Sequence, residues 1–155
     1  MKTIKGDLIK LALAGKFDVI AHGCNCFSTQ KSGIAKQMAE VFFTDEFPME
    51  VDSRPFPVNK LGCIDWDTYV IEHNFLSVVN CYTQYQYGTD KIHADYEAIH
   101  LCMRKINVLF RGKRIGLPMI GAGLAGGDWN KISAIIEREL KDLKVTIVEY
   151  DGTRN

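Results

Sequence analysis

Residues 114–129 read RIGLPMIGAGLAGGDW. The stretch opens as an apolar strand over 114–119, passes through a loop with glycine at 121, 123, 126 and 127, and ends on an aspartate that can cap a helix. That much glycine carries a high entropic cost, and it marks positions of positive φ or a backbone lying against a ligand. Successive amides in such a loop can cradle an anion. Beyond Asp128 the spacing predicts a helix burying Ile132, Ile135, Ile136 and Leu140, and then a strand over Lys144–Tyr150.

The same grammar recurs upstream. Residues 2–6 suit a short strand, Asp7 an N-cap, and Leu8–Ala14 a helix closed by Gly15. Asp18–His22 is a compact apolar strand, followed by a loop from His22 to Lys36 and a helix over Ile34–Phe43, with Ile34, Met38, Val41 and Phe42 on its apolar face. Residues 44–60 hold three prolines and read as an irregular excursion with one helical turn. Gly62–Glu72 and Phe75–Cys81 form a hairpin around His73-Asn74, and residues 83–92 a polar, tyrosine-rich loop. A long helix starts at His93 or Asp95 and ends near Phe110, with Ala98, Leu101, Cys102, Ile106, Leu109 and Phe110 as its stripe. Strands alternate with helices, so the expected fold is a three-layer α/β/α sandwich. The hairpin makes its central sheet mixed.

The 155 residues suit one domain spanning 1–155. Nineteen basic and nineteen acidic side chains balance, and no basic stripe offers phosphate neutralisation, so sequence-independent binding to nucleic acid is not expected. No run approaches a membrane span or a secretory signal, which points to a soluble, cytoplasmic protein. Five scattered cysteines do not make a disulfide framework. His22-x-Cys24-x-Cys26 lacks a second ligand pair, so no metal is expected. Gly121-x-Gly123-x-x-Gly126 matches a dinucleotide fingerprint in letters only. It precedes the last helix rather than following the first strand, which argues against a nicotinamide dehydrogenase. No Walker motif is present.

Two loops remain, each leaving a buried strand and entering a helix, which is where α/β sheets bind ligands. Ser32-Gly33 at a helix start offers exposed amides and the positive end of the helix dipole to an anion, or it is only a cap and a turn. With the loop at 121–127, the pair suggests a diphosphate held between them.

Gly6-Asp7-Leu8, His22-Gly-Cys-Asn25-Cys, Ser32-Gly33-Ile34-Ala35 and Gly121-Ala-Gly123-Leu-Ala-Gly126-Gly127-Asp128-Trp129 occur in this order across the whole chain. Together they resemble the macro domain family, nearest to its ADP-ribose-1''-phosphate phosphatase-like single-domain branch. The resemblance implies that the protein binds ADP-ribose and hydrolyses ADP-ribose-1''-phosphate to ADP-ribose and phosphate, with no cofactor. The alternatives are a non-catalytic ADP-ribose-binding module, or a hydrolase of another adduct such as O-acetyl-ADP-ribose or an ADP-ribosylated macromolecule.

By the same resemblance, Asp7 accepts from the adenine amino group and the Leu8 backbone supports the base. Asn25 contacts the distal ribose. Ser32, Gly33, Ile34 and Ala35 wrap the diphosphate from one side. Gly121, Ala122, Gly123, Leu124, Ala125 and Gly126 wrap it from the other, and Tyr150 stacks on adenine. One related branch uses a lysine after a central strand and an aspartate in the second loop. Here those positions fall near Tyr82-Thr83-Gln84 and on Ala125, which argues against a lysine-adduct mechanism. The candidates for phosphatase chemistry are His22 as a proton donor, Asn25 and Asp128. The other reading makes His22 structural and Asp128 a helix cap.

Overall fold

The computed structural model describes residues 1–31, 33–47, 56–86, 91–123 and 125–152. In chain order the elements are β1 (Lys2–Gly6), α1 (Leu8–Leu13), β2 (Val19–Asn25), α2 (Gly33–Phe42), β3 (Ile64–Ile71), β4 (Asn74–Gln84), α3 (Tyr96–Leu109), β5 (Arg114–Leu117), α4 (Trp129–Glu139) and β6 (Lys144–Tyr150). Short 3₁₀ turns at Thr44–Glu46 and Pro57–Lys60 bracket residues 48–55, which lie outside the described part together with Pro48 and Pro55.

The strands form one sheet in the order β1-β6-β5-β2-β4-β3. Every pairing is parallel except β3 with β4. Successive residues of a strand face opposite sides, and both sides are covered. Val19, Ala21, Val79, Cys81, Ile115, Leu117 and Ile147 pack under α3 and α4, against Ile99, Cys102, Met103, Ile106, Ile132 and Ile136. Ile20, Leu76, Val78 and Val148 pack under α1 and α2, against Leu8, Ile9, Ala12, Met38 and Phe42. β2 is buried except at the half-buried Gly23, because it lies inside the sheet with helices on both faces. This is the three-layer α/β/α sandwich with a mixed sheet that the alternation of elements predicts. Among the described residues no helix is long and apolar enough to cross a membrane.

Several local expectations are corrected. The hairpin turn is Glu72-His73, not His73-Asn74. Both turn residues have positive φ (48° and 75°), and Asn74 already pairs with Ile71. A two-residue turn of this hand matches strand twist, although neither residue is the usual Asn or Gly. β2 runs three residues beyond His22, with a register shift at Cys24/Asn25, and β4 takes Thr83 and Gln84 out of the expected loop. β5 stops at Leu117, and α2 starts at Gly33. On α2, Val41 is exposed, and on α3 so is Leu109. The buried side of α3 centres instead on Ile99 and Met103, at the same helical spacing.

Candidate functional site

Because the strands of β1, β6, β5, β2 and β4 run parallel, their C-terminal ends share one edge of the sheet. A cleft of about 470 Å³ opens there. The β1–α1 junction supplies Gly6 and Leu8, the start of α2 supplies Gly33, Ile34, Lys36 and Gln37, the end of β5 supplies Pro118 and Met119, and the end of β6 supplies Val148, Glu149 and Tyr150. The two strand-end loops therefore meet on the same side of the sheet, and both reach one cleft.

Each wall has a local cause. Gly33 adopts φ +59°, a conformation that an L side chain strains to reach, and it leads directly into α2. The first amides of that helix and its dipole end at the cleft, a setting that favours an anion. Gly33, Lys36 and Gln37 stand at i, i+3 and i+4, so they share one helical face, and Lys36 adds a cation to it. Tyr150 is 49% exposed and ends β6 on the opposite side, as a planar wall. Between these polar groups, Leu8, Ile34, Pro118, Met119 and Val148 give the cleft its apolar surface.

Asp7 is buried and caps α1, accepting from the Lys10 amide at 3.0 Å. It stands between two cleft residues without being one itself. In the loop after β5, Gly121 and Gly126 take φ of +75° and +74°. The loop folds on itself through Ala122 N–H to Met119 C=O (3.2 Å), Gly126 N–H to Gly123 C=O (3.0 Å) and Gly127 N–H to Gly121 C=O (2.7 Å). The buried Ala125 carbonyl receives the His93 and Ala94 amides, pinning the loop to the segment before α3. Gly121, Ala122, Gly123, Ala125 and Gly126 follow Pro118 and Met119 in the chain but do not line the cleft, and Ala35 does not line it either. Ser32 and Leu124 lie outside the described residues.

The three residues considered for catalysis each make structural hydrogen bonds. The Asn25 amide organises its own loop. Its Oδ1 accepts from Phe27 N–H (2.9 Å) and Thr29 N–H (3.2 Å), and its Nδ2 donates to Thr29 C=O (2.9 Å). Three of the amide's four bonding positions are used there. Asp128 is exposed and caps α4, accepting from Asn130 N–H at 2.9 Å. His22 is fully buried and does not line the cleft, with Nε2 2.6 Å from Asn80 Oδ1.

The Asn80 amide is oriented by its other contacts. Its Nδ2 donates to Thr44 C=O and to Asp65 Oδ1, each at 2.8 Å, so Oδ1 must accept and His22 Nε2 must carry the proton. Asp65 also accepts from Tyr82 O–H at 2.7 Å. Lys60, itself buried, donates to Ser28 Oγ (2.8 Å) and lies over the Tyr82 ring. These groups form a buried polar layer beneath the Asn25–Gln30 loop. Burial raises the Tyr82 hydroxyl, with Asp65 adding to the effect, and burial raises the Cys24 thiol.

Burial also pulls His22 down to about 4 from its ordinary 6.5, only partly opposed by the bond to Asn80. The unfolded chain then binds a proton that the folded chain refuses. Stability is fully present above pH 6.5 and is lost as pH falls toward 4, by up to about 1.4 kcal/mol per pH unit. Urea midpoints across that range should fall for the wild type and fall less for His22→Gln. Equal slopes would show that His22 does not control the acid limb.

Lys36, Gln37, Pro118, Met119, Val148 and Glu149 line the cleft but were not singled out from sequence. The i, i+3, i+4 spacing from Gly33 would have found the first two.

No protein-family model matches the chain. It is 34% identical over 156 residues to the uncharacterized 17.5 kDa protein of the tk–vs intergenic region of Enterobacteria phage T4, covering 97% of both chains. Among solved structures it is similar to a protein of unknown function from Bacteroides thetaiotaomicron (24% identity, 96% of each chain, TM-score 0.68). It is also similar to the macrodomain of Thermus aquaticus DarG (18% identity, 97% of each chain, TM-score 0.62). Thermosipho africanus DarTG, solved in complex with ADP-ribose, matches at 13% identity over 99% of this chain and 42% of its own, with TM-score 0.69. The chain belongs to the family of the phage T4 17.5 kDa protein, and its fold is that of the macrodomains.

Proposed function

We propose that the protein binds ADP-ribose in this cleft and hydrolyses ADP-ribose-1''-phosphate to ADP-ribose and phosphate. The observation that carries the reading is the start of α2, with Gly33 and Lys36, facing Pro118–Met119 across one cleft walled by Tyr150. A diphosphate at the α2 amides meets the helix dipole and a lysine. Adenine then lies against Tyr150 and Leu8, with Asp7 at its amino edge. The DarTG complex with ADP-ribose supports this choice of ligand. Hydrolysis needs water to attack phosphorus while the sugar oxygen leaves with a proton. Positioned donors that stabilise the developing charge are the residues' contribution to that step.

A second reading, a binding module without turnover, draws on one observation: His22 and Asp128 both make structural hydrogen bonds, and neither lines the cleft. Two measurements decide. Calorimetry should give saturable binding of ADP-ribose, and far weaker binding of ATP and NAD. Absence of binding would end the ligand assignment. Phosphate release from ADP-ribose-1''-phosphate separates the two readings, because a module binds ADP-ribose and releases none.

A further inference from the structure

Among the described residues, one polar group at the same edge of the sheet has no partner. The Thr83 side-chain oxygen is buried and makes no hydrogen bond, although the residue's carbonyl accepts from Asp95 N–H at 2.9 Å. A hydroxyl left so is costlier than the methyl of a valine of the same shape, and such a group calls for an explanation. Its surroundings supply one. Thr83 stands near the end of β4, on the α3/α4 side with Val79 and Cys81. A Cβ on Gly23 would lie 2.8 Å from the Thr83 oxygen and 3.6 Å from Ile120 Cγ2. Any side chain at 23 would press on that oxygen, so glycine alone leaves it an approach from this side. Gly23 is half-buried although His22 and Cys24 beside it are buried, so the sheet is thinly covered at this point.

The strand order says what reaches it. Tyr150 ends β6, and β4 is three strands further along, through β5 and β2. At the usual spacing that is roughly 14 Å. A nucleoside diphosphate sugar with its base at β6 and its phosphates at the loops after β5 and β2 brings its far end toward the half-buried Gly23. We infer that the Thr83 hydroxyl hydrogen-bonds an oxygen at that far end, a sugar hydroxyl or a substituent oxygen, and so distinguishes ADP-ribose from ADP. The contact forms when the Ile120 side chain turns aside at the entrance to the glycine loop. This inference rests on the ADP-ribose reading above.

The test pairs Thr83→Val with Thr83→Ser and titrates each against ADP-ribose and against ADP, with melting curves of the unliganded proteins. Thr83→Val should bind ADP-ribose about tenfold more weakly. It should bind ADP as the wild type does, and melt at the same temperature or higher. Thr83→Ser should keep the wild-type affinity for both. A valine variant that binds ADP-ribose normally, or that loses ADP equally, overturns the role of Thr83 while leaving the cleft assignment intact. So does a serine variant as weak as the valine one. A wild-type protein that binds no ADP-ribose overturns both.

Discussion

Gly33→Glu is expected to abolish ADP-ribose binding while leaving a folded protein. Gly33 sits at φ +59° where α2 begins, and it forms part of the cleft wall. A side chain there costs about 1–2 kcal/mol in backbone strain. The larger effect is local: the new carboxylate enters the space in front of the α2 amides, takes their hydrogen bonds and repels a diphosphate. A loss of at least about 100-fold in affinity follows. Calorimetry beside a melting curve checks it. Near-normal affinity in this variant would place the phosphates elsewhere. The same protein is the control for phosphate release, since turnover that survives in it does not come from this cleft.

Asn80→Leu should be the most destabilising change in the interior. One amide serves three buried groups: it accepts from His22 and donates to Asp65 and to the Thr44 carbonyl. Leucine fills much of the volume and answers none of them. Leaving a buried carboxyl short of a donor, with a histidine and a carbonyl also unpaired, costs about 3–5 kcal/mol. Domains of this kind carry only about 5–15 kcal/mol in total. Urea unfolding followed by tryptophan emission should show a midpoint shift of that size. A loss below about 1 kcal/mol would mean that water or a repacked neighbour replaces the amide.

The sandwich was legible in the sequence because its elements obey simple periods. Ile132, Ile135, Ile136 and Leu140 repeat at helical spacing and are buried as read. The loops were legible because glycine is conspicuous. Reading by apolarity alone failed where an apolar residue sits at the rim of its helix, as with Val41 and Leu109. It also missed the turn at Glu72-His73, whose left-handed pair carries no glycine. The roles of polar residues were the least legible, since a hydrogen bond to a distant residue leaves no mark on local sequence. Asn80 is 58 positions from His22, and nothing near either predicts their contact. Asp128 is the opposite case: its role as a helix cap rests on a local bond and was readable, and the bonds of Asn25 are local as well.

The pairing of β1 with β6, which sets Lys2 against Thr146 and Gly6 against Tyr150, has a bearing on biosynthesis. Two walls of the cleft come from stretches far apart in the chain, so the cleft is complete only once β6 has emerged and docked on β1. Such a distant pairing slows folding. Ligand added during refolding should therefore act late, protecting the β1 and β6 amides from exchange together and leaving earlier steps untouched.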